Sequence, residues 1–227
     1  MNEFSRLKKV IGEGNLSKIR NLKVLIVGLG GVGGMALEML ARMNVGKIVV
    51  VDFDCFEESN LNRQILCNLD NVGNYKVEEA KKRVLSINQS CEVIAYNEKV
   101  DDEFFNRHNL EVDYVIDACD DVRAKVLLAK YSVNNNVKII SSCGTGNRMH
   151  PELLTISNVW KTCNDPLAKK FRQELRKSGI SFKLPVVYSK ETPIIKTANE
   201  VGSCCLVPNY AGILLASYVI NDVLNNG

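Results

Sequence analysis

One short glycine-rich segment, Gly28-Leu29-Gly30-Gly31-Val32-Gly33-Gly34, restricts the fold of this chain more than any other stretch. It follows Val24-Leu25-Ile26-Val27, an apolar run too compact for a helix and rich in β-branched residues, as in a strand covered on both faces. A helical stretch, Met35 to Met43, comes next. Gly46 ends that helix, and Ile48-Val49-Val50-Val51 follows as a second strand. Glycines at such a strand-to-helix joint let the backbone turn tightly and approach a phosphate, whose charge the helix N-terminus favours. The unit is βαβ, with Gly28, Gly30, Gly31 and Gly33 as its candidate nucleotide-binding glycines.

The alternation continues beyond this unit. Val77 to Ile87 reads as a helix, Val93 to Tyr96 and Tyr114 to Ile116 as strands, Ala124 to Tyr131 as a helix, and Ile139 to Ser142 as a strand. Such alternation predicts an α/β fold, a Rossmann-like, doubly wound and mostly parallel sheet. After about residue 144 the pattern changes. Strands at Leu153–Ile156 and Phe182–Tyr188 flank a single helix, which predicts an antiparallel extension. Asp165 suits the N-cap of that helix, Pro166 its first turn and Gly179 the position just past its end. Leu167, Phe171 and Leu175 form the stripe expected to face the core, with Lys169, Arg172 and Arg176 on the opposite side. A closing helix, Asn209 to Leu224, places Ile213, Ser217 and Ile220 near one face, read as core or dimer packing.

Composition removes several classes. Of 227 residues, 46% are apolar and 24% charged, too hydrophobic for a disordered chain. The longest strongly apolar stretch, Ala211 to Ile220, is half of the roughly 20 residues a membrane-spanning helix needs. The first six residues lack the apolar core of a signal peptide, so a cytoplasmic protein without a membrane partner is expected. Eight cysteines occur without one C-x-x-C pair and with only two histidines, which argues for reduced, mostly buried thiols rather than zinc. The net charge of +3 conceals segregation: residues 101–121 carry eight acids and one arginine, whereas residues 161–190 carry eight basic side chains and two acids. The basic segment is either a solvated helix face or the footprint of a polyanionic partner.

Asp52 ends the second strand about 20 residues after the glycines, where a carboxylate can hold both ribose hydroxyls. The segment after it argues against a dehydrogenase. Asp52-Phe53-Asp54 leads into Asn62-Arg63-Gln64 and then Lys76, and hydride transfer needs no Arg and Lys aimed at phosphates. Cleavage of ATP between its α- and β-phosphates does need them, because negative charge builds on the departing pyrophosphate. Asp117 and Asp120, at the end of a further parallel strand, are candidate carboxylates for a phosphate-bridging Mg²⁺, or else helix caps. Lys125, on the next helix, either faces this site or is an ordinary surface lysine.

Together these motifs resemble the adenylating domain of the ubiquitin-activating superfamily, which includes the activators of sulfur-carrier proteins. Downstream, Lys161-Thr162-x-x-Asp165-Pro166-Leu167-Ala168, Arg172-x-Glu174-Leu175-Arg176, Pro185-Val186-Val187-Tyr188-Ser189, Gly202-Ser203 and Pro208-x-x-Ala211-Gly212 resemble one branch, the tRNA threonylcarbamoyladenosine dehydratase family. That resemblance implies one adenylating domain over residues 1–227, with an ATP-binding half (1–144) and a substrate-binding and dimerisation half (145–227). It implies ATP and Mg²⁺ as cofactors and a tRNA carrying threonylcarbamoyladenosine as substrate. ATP would be held by Gly28, Gly30, Gly31, Gly33, Asp52, Asp54, Asn62, Arg63, Lys76, Asp117 and Asp120, and Mg²⁺ by Asp120. The catalytic set would be Arg63, Lys76, Asp120 and Arg6, the last supplied in trans across a homodimer. Lys161, Lys169, Arg172, Arg176 and Lys177 would contact the tRNA. The zinc-binding C-x-x-C pairs common in sulfur-carrier activators are missing, so zinc is not expected. Adenylation of the C-terminal glycine of a ubiquitin-like carrier is the alternative, and an NAD-binding or non-catalytic Rossmann protein a further one. Cys204 and Cys205 receive no role, and no sulfur-relay partner is read from the sequence.

Overall fold

The computed structural model describes residues 3–193 and 201–226. Its centre is a seven-stranded sheet built from β1 (Lys23–Val27), β2 (Lys47–Val51), β3 (Glu92–Tyr96), β4 (Tyr114–Asp117), β5 (Lys138–Ser142), β6 (Leu154–Asn158) and β7 (Pro185–Ser189). The spatial order is β3-β2-β1-β4-β5-β7-β6, and only the last pair is antiparallel. The apolar runs explain the layering. Along β1, Val24 and Ile26 enter one core while Leu25 and Val27 enter the other, because successive side chains point to opposite faces. Each such Val, Leu or Ile, once buried, contributes about 1.5–3 kcal/mol.

Helices cover both faces. α2 (Glu13–Arg20), α3 (Gly31–Arg42), α4 (Lys76–Ile87) and α8 (Leu206–Asn226) contribute to the first core; α5 (Phe104–Arg107), α6 (Val122–Asn135) and α7 (Pro166–Lys177) to the second. α1 (Ser5–Ile11) precedes α2 at the edge of the fold. α3 and α8 make the most intimate helix pair, and Gly212 lies where a side chain would collide with the carbonyl of Val32 and the Cβ of Met35. Among the described residues no helix is long and apolar enough to cross a membrane.

One expectation needs correction and another is refined. β7 begins at Pro185 and not at Phe182. The carbonyl of Phe182 accepts the indole N–H of Trp160 at 2.9 Å, and that of Leu184 accepts from the Val159 amide, so these residues bond to a turn instead of a strand. The core face of α8 is Val207, Ala211, Leu215 and Val219, with Ala216 and Ile220 beside it. Ile213 is exposed and Ser217 half-buried. Only at the closest approach to α3, at Gly212, is there no room for a side chain.

Candidate active site

The strand order reverses between β1 and β4, and the carboxyl ends of these strands open there into a cleft, the usual ligand site of an open α/β sheet. Its volume is about 570 Å³. Gly28, Gly30, Gly31, Asp52, Asp54, Arg63, Lys76 and Asp120 all line it. Gly28 has φ +89°, and an added Cβ would stand 2.8 Å from the Ala118 backbone of the neighbouring strand end. Gly33 lies beneath the loop, where any side chain would strike the Gly28 carbonyl. At Gly30 the nearest atom to an added Cβ is 3.9 Å away, leaving the room that a phosphate requires.

Asp52 is buried but engaged. One carboxylate oxygen accepts the Leu29 amide at 2.6 Å, and the other accepts the Asp54 amide at 2.9 Å. These bonds fix the carboxylate at the root of the glycine loop. Burial pushes its pKa above the ordinary aspartate value, against the partial compensation of nearby Lys76. Lys76, at 6% exposure, bonds Asp54 at 3.0 Å. Arg63 is held by the Ser59 carbonyl at 2.6 Å and by Asn62 Oδ1 at 2.9 Å, while Asn62 donates to the Ser203 carbonyl. Asn62 therefore orients Arg63 and ties its loop to the lead-in of α8; it does not itself line the cleft.

The two aspartates after β4 part company. Asp120 is exposed at the cleft. Asp117 is fully buried, and its oxygens meet Lys125 Nζ at 3.0 and 3.1 Å and the Ser141 hydroxyl. Asp117 is thus removed from the expected cleft set, because its carboxylate is consumed by an internal pair. Lys125 neither faces the site nor lies on the surface: it is fully buried, and it also donates to the Ser142 carbonyl at 2.7 Å. Burial is the largest influence and opposes its charge, but Asp117 together with the neighbouring Cys119 and Cys143 brings the ammonium above the ordinary lysine value. Cys119, beside this pair, has its thiol pushed well up by burial and by Asp117, which keeps it protonated and unsuited to attack.

Among the described residues, no three of His, Cys, Asp and Glu come together as a metal site. Asp120, exposed at the cleft with Glu57 and Asp121 also on its lining, suits a Mg²⁺ carried chiefly by phosphates, since that ion commonly takes one or two carboxylates and completes its shell with phosphate and water. Gln64 was legible only as Arg63's neighbour. It is buried at the cleft, and among the described residues its Oε1 is a buried acceptor without a hydrogen-bond partner, while its Nε2 faces the Gly30 side. Lys99, 4.1 Å from the Phe53 ring centroid, also lines the cleft and had no motif to announce it.

Arg6 is exposed on α1 and does not line its own chain's cleft. Lys161, Lys169, Arg176 and Lys177 are exposed on or beside α7, also outside the cleft. Lys177 pairs with Glu174 at 2.7 Å. Arg172 departs from the expected open face. It is half-buried, and its guanidinium bonds the Thr162 hydroxyl and the carbonyls of Val159 and Thr162, stapling the 158–162 turn to the helix.

The ThiF family model matches residues 4–205 of the chain. The tRNA threonylcarbamoyladenosine dehydratase of Bacillus subtilis (strain 168) is 37% identical over 247 residues, spanning 100% of this chain and 96% of that protein. The crystal structure of Escherichia coli tRNA N6-threonylcarbamoyladenosine dehydratase, TcdA, in complex with AMP matches with a TM-score of 0.93 at 30% identity, covering 99% of this chain and 94% of that one. The same enzyme in complex with ATP matches with a TM-score of 0.92.

Proposed function

The chain belongs to the ThiF family, within its tRNA threonylcarbamoyladenosine dehydratase branch, and from that membership we propose that it cyclises threonylcarbamoyladenosine in tRNA at the expense of ATP. The reading is carried by one observation: Arg63, Lys76 and Asp120 converge with Asp52 and the glycine loop on a single cleft. Asp52 takes the ribose hydroxyls, and the open space at Gly30 admits the phosphates. The threonine carboxylate attacks the α-phosphate, and pyrophosphate leaves. Arg63 and Lys76 stabilise the charge that builds on both sides of the breaking P–O bond. The exchange turns a poor leaving group into AMP. The ureido group of the same nucleoside then attacks the activated carbonyl, closes a ring and expels AMP. Attack within one molecule supplies a high effective concentration, so no enzyme nucleophile is required. This fits a cleft in which the thiol of Cys119 is held protonated.

Mg²⁺ would enter on the phosphates with Asp120 as its protein carboxylate, supplying further charge neutralisation. In this reading residues 1–144 bind ATP, residues 145–227 bind substrate and build a homodimer, and Arg6 reaches the partner's phosphates. A basic face of Lys161, Lys169 and Lys177 tracks the tRNA backbone. The test is AMP release from ATP with modified tRNA, run beside a ubiquitin-like carrier ending in glycine. Tracking of the nucleoside by mass spectrometry should reveal loss of one water from the tRNA modification. AMP release with the carrier alone would overturn the proposal.

A further inference from the structure

Apart from the cleft, the structure contains a second cavity, of about 370 Å³, lined by Trp160, Arg176, Gly179, Ile180 and Ser181. We infer that it is a stacking slot for one unpaired nucleobase of the tRNA, with the Trp160 indole as its platform and Arg176 as its border. The inference rests on the tRNA reading above and assigns part of it to a particular side chain.

The indole is fixed before anything binds. Its Nε1–H donates to the Phe182 carbonyl at 2.9 Å, and its backbone amide is capped by Asn158 Oδ1 at 3.3 Å. Arg172 staples the same turn to α7. A platform held on three sides loses little entropy when a base settles on it. The ring is only half-buried despite these restraints. The Arg176 guanidinium carbon lies over the ring at 5.3 Å from its centroid, a cation–π contact on one face, and this exposed side chain moves aside or stacks in turn when a base enters. Past the helix, Gly179 has φ +71° and nothing within 4 Å of where a Cβ would stand, which leaves the wall on that side open.

The surroundings specify the occupant. Lys161, Lys177 and Lys183 are exposed and are chain neighbours of Trp160, Arg176 and Phe182 respectively. An aromatic plane among cations is the arrangement by which proteins take unpaired nucleotides: the ring stacks the base, and the cations track the phosphates. A buried acid would argue for a cationic ligand, and none lines this slot.

Trp160 is the only tryptophan in the sequence, so its fluorescence reports on this slot alone. With the full chain, unmodified tRNA should quench it saturably, at the concentration at which binding is seen by filter retention. An RNA duplex of equal length, which offers phosphates but no free base, should bind without quenching. Trp160→Ala should weaken tRNA binding about ten-fold while leaving the salt slope unaltered, and Trp160→Phe should retain most of the affinity. Unaltered ATP affinity shows that each variant is folded. Bound tRNA with no quench, together with wild-type affinity in both variants, overturns the slot and leaves the tRNA reading standing. Failure of wild-type chain to bind tRNA at all overturns both.

Discussion

Lys76 is nearly buried and already bonded to Asp54, so the cleft holds its cation in place before any phosphate arrives. Pre-placed charge stabilises a transition state without reorganisation, and removing one such group typically costs about 10²–10³ in rate. Lys76→Ala should therefore lower turnover by that factor while its circular dichroism matches wild type; near-normal turnover would remove Lys76 from the mechanism. Asp52 answers to pH. Its raised pKa means that the folded chain holds the proton more tightly than the unfolded chain does. The acid form is thus favoured by folding below the ordinary aspartate value of 3.8, and that stabilisation is lost as pH rises through the folded-state pKa. Binding runs the other way, because a protonated carboxyl accepts ribose hydroxyls poorly. Affinity for adenosine, which has no phosphate to titrate, should begin to fall at a pH above the usual aspartate range. Asp52→Asn should abolish that dependence, measured by calorimetric titration.

Strand β4 ends on a carboxylate that α6 reaches with Lys125, which locks helix, strand and the β5 carbonyl of Ser142 together. Lys125→Met would leave Asp117 buried and unpaired, at a cost of about 3–5 kcal/mol. Urea unfolding should show that loss, and pairing the change with Asp117→Asn should recover part of it. Helix α7 makes a separate prediction. Lys161 and Lys169 are free of the restraints that hold Arg172, so replacing both with alanine should lower the slope of log affinity for tRNA against log salt by roughly 0.7–0.9 for each phosphate left without its lysine. Arg172→Ala should instead loosen the 158–162 turn and report mainly on stability. Elements of this kind were readable where one local signal sufficed: β1 and β2 from apolar runs, α7 from Asp165, Pro166 and Gly179. The misreadings arose where a distant partner decided. Nothing beside Asp117 in the sequence distinguishes it from Asp120; the distinction comes from strand register, which puts Asp117 opposite Val27 and Ser141 and inside the sheet. Arg172 fell on the polar side of its helix by spacing, but the carbonyls it serves lie ten to thirteen residues earlier. On α8, Ala211 and Gly212 carry the buried seam, and small residues give a weak periodic signal.

Across the whole molecule, an exposed apolar stripe on α8, formed by Leu206, Tyr210 and Ile213, lies beside the segment bearing Leu61 and Ile65, which Asn62 ties to the helix's lead-in and which Asn209, on the helix itself, bonds at the Arg63 carbonyl. In the proposed homodimer this surface meets its counterpart, and Arg6 completes the partner's cleft. Chains carrying Arg6→Ala and chains carrying Lys76→Ala should each be nearly inactive alone. Mixed after dissociation, they should regain about a quarter of wild-type turnover, because half of the dimers then contain one intact site. No recovery in mixtures proven to exchange subunits would place Arg6 outside the partner's site. The close approach of Gly212 to Val32 bears on how the protein is made. Translation delivers the phosphate loop early and the helix that braces it some 180 residues later, and domains tend to consolidate as they emerge from the ribosome. A nascent chain paused before Leu206 would already pack the loop against Arg63, Leu66 and Ala118 but would lack the Pro208 wall of its cleft. The cleft is thus closed last at its Pro208 side, after every glycine, carboxylate and cation that lines it has been made.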